Sequence, residues 1–132
     1  MTDRTTDRTK LVALWIPALV WMAVIFWVSS LPGSEIPGGY ATPGHFIAYS
    51  VLGGLLALPL LRMTGRDRAI ALALLAASIY GITDEFHQAF VPMRTPDVAD
   101  WGVDTLGAFL GAAAVAWAAL ALSRARERRS RQ

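Results

Sequence analysis

The chain has 132 residues, 55% of them hydrophobic and 17% charged, with a formal net charge of +2 and no cysteine. That balance is too apolar and too charge-poor for a soluble domain of this size and reads as an integral membrane protein. Without thiols there is no disulfide framework and no thiolate metal site, so any metal would need oxygen and imidazole ligands. No nucleic-acid-binding motif is present, and nucleic acid is excluded as a partner.

A transmembrane helix needs roughly 20 mostly apolar residues to cross about 30 Å of hydrocarbon. Four segments approach this: Leu11–Ser30, His45–Leu61, Ala69–Thr83 and Thr105–Ser123. The first follows Arg8 and Lys10 and ends in Val28-Ser29-Ser30, as a signal peptide does. Its apolar stretch exceeds the roughly 7 to 15 residues of a signal core and is rich in tryptophan, so a retained helix is expected. Pro17 and Pro59 lie inside the first two segments, where a bundle tolerates kinks. The expected architecture is all-α: four transmembrane helices in one compact bundle over residues 11–123. An N-terminal tail (1–10) and a basic C-terminal tail (124–132) flank it and are expected to be irregular or lipid-associated.

Arg4, Arg8 and Lys10 precede the first segment, Arg62, Arg66 and Arg68 separate the second from the third, and Arg124, Arg126, Arg128, Arg129 and Arg131 follow the fourth. The positive-inside rule then puts both termini and the middle loop in the cytoplasm. Only Arg94 breaks the pattern. Glu35, Asp84, Glu85, Asp97, Asp100, Asp104 and both histidines, His45 and His87, all fall in the outer half. Topology explains the basic residues but not this acidic cluster, since carboxylates contribute little to orientation.

The third segment, LALLAASIYGIT, runs directly into DEFHQAFVPMR. Asp84 lies 16 residues beyond Arg68, about 24 Å along a helix, still short of the outer boundary. Ionisable groups at that depth are costly and face a protein interior or water, which makes them a site by default. Tyr80, Gly81, Asp84, Glu85, His87 and Gln88 share one broad helical face, with Phe86 and Phe90 pointing away. Asp84 can meet His87 or Gln88, and Glu85 can meet Gln88, but Glu85 and His87 are spaced too closely in sequence to share a contact. Past Pro92, Asp97, Asp100 and Asp104 fit one face of an interfacial turn that leads into the fourth segment and faces Arg94 or the cluster. Asp97 is equally placed to be a helix N-cap. Gly107 and Gly111 form a close-packing motif on the Asp104 face. His45 carries Tyr49 and Gly53 on its face, and on its own reads as an interfacial histidine with a hydrogen bond. Tyr40 and Trp15, Trp21, Trp27, Trp101 and Trp117 read as interface or packing residues.

The order of these residues resembles the VanZ-like family of small bacterial membrane proteins. The likeness is carried by His45-Phe46 and Tyr49, by Tyr80-Gly81, Asp84-Glu85, Gln88, Phe90-Val91-Pro92 and Arg94, and by Asp100, Asp104 and Leu106-Gly107. Two departures from the family pattern, Pro43-Gly44 where an Asp-Lys pair is usual and Asp104 where asparagine is usual, make this site more acidic. The resemblance implies a multi-pass protein of the bacterial cytoplasmic membrane, associated with resistance to teicoplanin-type glycopeptide antibiotics.

Two functional classes follow. In a binding protein, Arg94, Gln88, Asp100, Asp104 and Tyr49 would recognise a lipid-linked cell-wall precursor or an anionic lipid. In a hydrolase or transferase acting on an envelope lipid, Glu85 and Asp84 would divide general acid and base roles. His45 would then shuttle a proton and Arg94 would hold a phosphate. Water is the natural nucleophile in that case, because Ser29, Ser30 and Ser34 lie elsewhere in the chain. A divalent cation, with Asp84, Glu85, Asp100, Asp104 and His45 as candidate ligands, would relieve the repulsion among the carboxylates. A transporter lacks a continuous polar route through the inner half. A purely structural network would tolerate joint apolar replacement of Glu85 and Arg94.

Overall fold

The computed structural model describes residues 2–36 and 41–132, with side chains from Arg8 onward. Helices α1 (Thr2–Ala13) and α2 (Ile16–Ser29) precede a single 3₁₀ turn, Gly33–Glu35, and are followed by α3 (Ala41–Met63), α4 (Arg66–Gln88) and α5 (Val98–Ser130). No strand occurs among the described residues. Four stretches are long and apolar enough to cross a membrane: Arg8–Ser29, Ala41–Met63, Arg66–Gln88 and Val98–Ser130. Tyr40, expected at an interface, lies outside the described residues.

The first span is broken where α1 meets α2. Trp15 N–H donates to the Val12 carbonyl at 3.0 Å, tightening the turn, and Pro17 enters the first turn of α2, where its missing N–H costs nothing. Pro59, inside α3, is fully buried against the bundle and the helix continues past it.

The core is α3, α4 and α5, and small residues bring their backbones together. A Cβ on Gly111 would enter the Ser50 carbonyl, one on Gly53 would enter the Ala108 backbone, and one on Gly107 would lie 2.6 Å from the Phe46 carbonyl oxygen. The Gly107/Gly111 motif thus lays α5 directly on α3. Ala69, Ala73 and Ala77, one turn apart on α4, are each wholly buried and do the same for that helix. Leu75, Ile79, Leu110 and Trp117 remain exposed on the outside of the bundle, as suits a surface solvated by acyl chains.

The first span touches this core at a few polar anchors. The Trp21 indole donates to the Ala48 carbonyl at 2.8 Å and the Tyr80 hydroxyl donates to the Met22 carbonyl at 2.7 Å. His87 stacks on Phe26 with ring centroids 4.4 Å apart and meets the Ser30 hydroxyl at 3.0 Å.

Several expected boundaries shift outward. The third helix continues past the uncharged stretch that ends at Thr83 and runs to Gln88, short of Pro92, with Asp84, Glu85 and Gln88 buried on its inward face. Asp97, Asp100 and Asp104 do not form an interfacial turn. Asp97 caps α5, its carboxylate accepting from Ala99 N–H at 2.8 Å, and the other two occupy the first turns of that helix. Residues 124–130 extend α5 instead of forming an irregular tail, since nothing after Gly111 is glycine or proline. Residues 2–10 are likewise helical. Between α4 and α5 the chain reverses at Pro92 and Met93, the latter in the left-handed region at φ 58°. Gly33 N–H donates to the Pro92 carbonyl at 3.0 Å, which ties the α2–α3 connection to this turn.

Candidate functional site: a buried acidic cluster at the head of a groove

The cluster is assembled from three helices at the end of the bundle that holds the tied loops. α3 supplies His45 and, one turn on, Tyr49. α4 supplies Asp84, Glu85 and Gln88 from its last turn, and α5 supplies Asp104 from its second turn. Asp84, Glu85, Gln88 and Asp104 are 3%, 8%, 3% and 0% exposed, so every carboxylate here is buried within the bundle. Burying them is costly unless each finds partners.

Each carboxylate is held by one oxygen. Asp104 Oδ1 lies 3.0 Å from His45 Nδ1, Glu85 Oε2 accepts from the backbone N–H of Asp97 at 2.8 Å, and Asp84 Oδ2 accepts from Gln88 Nε2 at 3.4 Å. The second oxygens, Asp104 Oδ2, Glu85 Oε1 and Asp84 Oδ1, are buried with no hydrogen-bond partner, as is the Tyr49 hydroxyl. A ring nitrogen of His45 and one oxygen each of Glu85 and Asp104 lie within 4.8 Å of one another. Tyr49 stacks beside His45, ring planes 9° apart and centroids at 6.4 Å, and stands in the field of both Asp84 and Asp104.

Other sequence candidates are placed differently. Asp100 accepts from the Thr42 hydroxyl at 3.0 Å near the surface and is outside the group of converging ligand atoms. His87 faces α2. Among the described residues Arg94 pairs with no carboxylate: its Nε and Nη2 donate to the Leu31 and Val28 carbonyls at 3.2 and 3.4 Å, the open C-terminal end of α2. A guanidinium has donors beyond these two, so Arg94 keeps hydrogen-bonding capacity towards a ligand.

Beside the cluster lies a lateral groove of about 310 Å³ between α2 and α3. Val24, Ile25, Val28, Ile47 and Ala48 give it apolar walls, and Trp21 closes one end through its bond to Ala48. Ser29, His45, Tyr49, Asp84 and Arg94 line it towards the other end. From Trp21 to Val28 it follows seven residues of α2, about 10 Å of helix. Sequence reasoning missed this groove. The one signal was Trp21, whose indole N–H in the middle of an otherwise apolar span requires a buried acceptor.

Fold and site together define a multi-pass helical membrane protein with an acidic and imidazole cluster at the head of a membrane-embedded groove. The chain belongs to the VanZ/LLP1 family, whose family model matches residues 14–120 and so takes in every residue of the cluster and the groove. No curated protein and no solved structure gives a significant match to the chain.

Proposed function

We propose that this VanZ-like protein binds an amphiphilic envelope component, a lipid-linked cell-wall precursor or an anionic lipid, on the outer side of the bacterial cytoplasmic membrane. The observation that carries this reading is the polarity of the groove. Its walls along α2 and α3 suit an acyl or isoprenoid chain, and Arg94, His45 and Tyr49 stand where a headgroup would enter. Its volume lies at the small end of the range for ligand sites, which suits a segment of chain plus a phosphate rather than a whole glycolipid. Arg94 would hold the phosphate with the donors not spent on Leu31 and Val28, while those two bonds fix the guanidinium in place. The outward orientation rests on Arg62, Arg66, Arg68 and the arginines after Ser123, which all belong to the opposite end of the spans. Sequestering a precursor there would be one route to teicoplanin-type resistance.

The second reading, a membrane-embedded hydrolase or transferase, draws on the His45–Asp104 pair: a carboxylate on Nδ1 orients an imidazole for proton transfer at its other nitrogen. A single set of variants separates the two. The protein is reconstituted in nanodiscs with an undecaprenyl phosphate probe, and binding and turnover are both followed. A binder loses about tenfold or more in affinity with Arg94→Gln and with the groove-filling Val28→Trp, and keeps most of it with Glu85→Gln. Turnover that Glu85→Gln abolishes while binding persists establishes the enzyme instead. Binding unchanged by both Arg94→Gln and Val28→Trp removes the groove from the account.

A further inference from the structure

The orphaned oxygens of the cluster call for a ligand that the groove does not supply. Three carboxylates from two helices are each anchored through one oxygen, and each has a second, buried oxygen that makes no hydrogen bond, with the Tyr49 hydroxyl beside that of Asp84. Two of those carboxylates, Glu85 and Asp104, bring an oxygen within 4.8 Å of each other and of a His45 nitrogen. Asp104 Oδ2 is directed at α4: a Cβ built on Gly81, one turn before Glu85, would lie only 3.4 Å from it. Among the described residues no lysine or arginine forms an ion pair with any of the three, and the one ion-pair contact they make is that of His45 with Asp104. A hydrogen-bond donor from the protein could satisfy one such oxygen, but not all of them from a single point. A cation can take the Glu85 and Asp104 oxygens directly and reach Asp84 through a bound water.

We propose that His45, Glu85 and Asp104 form a binding site for one divalent transition-metal ion, with Asp84 and Tyr49 close enough to orient a bound water. Around an ion with bonds of about 2.1 Å, tetrahedral ligand atoms are about 3.4 Å apart. The three groups therefore need to close by little more than about 1 Å, which side-chain torsions of His45 and Glu85 supply. One imidazole and two carboxylates without thiolate form a donor set of intermediate hardness, suited to Zn²⁺, Mn²⁺, Fe²⁺ or Co²⁺ rather than to Ca²⁺ or Cu⁺. Three protein ligands leave at least one coordination position open, as in sites where a metal holds water or an anionic oxygen. The bonds already present are those of an orienting shell. The Asp97 backbone N–H fixes Glu85, Gln88 fixes Asp84, and the whole arrangement stands on helices rather than loops. The site joins α3, α4 and α5 at one end, so an ion there would also clamp the bundle.

The proposal is independent of the lipid reading, because it concerns the metal alone. The purified protein in detergent is stripped with a chelator and titrated with Co²⁺ by equilibrium dialysis and visible absorption, with Zn²⁺ in competition. One Co²⁺ per chain, ligand-field bands displaced by Zn²⁺, and a melting temperature that rises with metal concentration are expected. His45→Ala, Glu85→Gln and Asp104→Asn should each weaken Co²⁺ binding by at least about tenfold, whereas His87→Ala and Asp100→Asn should leave it unchanged. Tryptophan fluorescence and circular dichroism show whether each variant is folded. Should the cluster variants fail to fold, the wild-type stoichiometry and spectrum decide. Absence of saturable Co²⁺ or Zn²⁺ binding to the wild type at 100 µM or so would overturn the site, as would binding that folded Glu85→Gln and Asp104→Asn retain in full.

Discussion

Gly102 and Gly111 lie on the same helix, and the fold predicts opposite consequences for the same substitution at the two. In α5 an alanine is intrinsically favoured over glycine by about 1 kcal/mol. At Gly102 an added Cβ meets nothing within 4 Å, so Gly102→Ala should stabilise the bundle by up to that amount. At Gly111 the Cβ would enter the Ser50 carbonyl and crowd the Ser50 backbone, atoms that cannot rotate out of the way. Overpacking of this kind costs about 1 to 3 kcal/mol, and the rigid obstacle here places Gly111→Ala at the upper end, leaving a net loss of about 2 kcal/mol after the propensity gain. The two variants should therefore differ by about 3 kcal/mol. Reversible unfolding in mixed micelles, followed by the fluorescence of the five tryptophans, measures both against the wild type. If Gly111→Ala proves as stable as Gly102→Ala, the close approach of α3 and α5 is wrong, and so is the placement of His45 against Asp104 that depends on it.

Three further outcomes follow from single contacts. Tyr80→Phe removes the hydroxyl donor to the Met22 carbonyl and should cost about 1 kcal/mol in the same unfolding assay, while loosening the first span enough to raise proteolysis at the α2–α3 connection. Asp97→Ala should cost about 1 kcal/mol through loss of the α5 cap and Asp97→Asn only a few tenths, since the amide oxygen can still accept from Ala99 N–H. Trp21→Phe should open the closed end of the groove and admit a longer chain, seen as a shift in preferred chain length among co-purified lipids, with a stability loss near 1 kcal/mol.

Much of the architecture was legible because a bilayer imposes so few solutions. Hydropathy located all four spans, and the glycine spacing marked a close-packing face on the fourth, though not that α3 is its partner. Boundaries failed where polar residues at helix ends are satisfied inside the protein. The uncharged stretch of the fourth segment began at Thr105, whereas α5 begins at Val98, because Asp97 caps the helix and Asp104 is paired with His45 inside the bundle. The cluster itself could be suspected from the order of His45, Asp84-Glu85 and Asp104, but not the His45–Asp104 pair, which joins residues 59 positions apart. Arg94 looked like the partner of the carboxylates on charge alone. Its actual partners are two backbone carbonyls at the end of α2, which no side-chain pattern reveals. The groove was invisible for a related reason: an apolar residue that lines a cavity, such as Val24, reads the same as one that faces lipid, such as Leu75.

Those two residues also supply the most direct test of the central claim, that the groove holds an anionic amphiphile at the foot of the polar cluster. A small diazirine side chain at Val24, which lines the groove, and another at Leu75, which is 56% exposed and does not line it, are irradiated in native membranes and the captured lipids identified by mass spectrometry. The Val24 position should capture phosphate-bearing lipids several-fold enriched over their bulk abundance, and Arg94→Gln should erase the enrichment. Identical lipid profiles at Val24 and Leu75, each matching the bulk membrane, would contradict it.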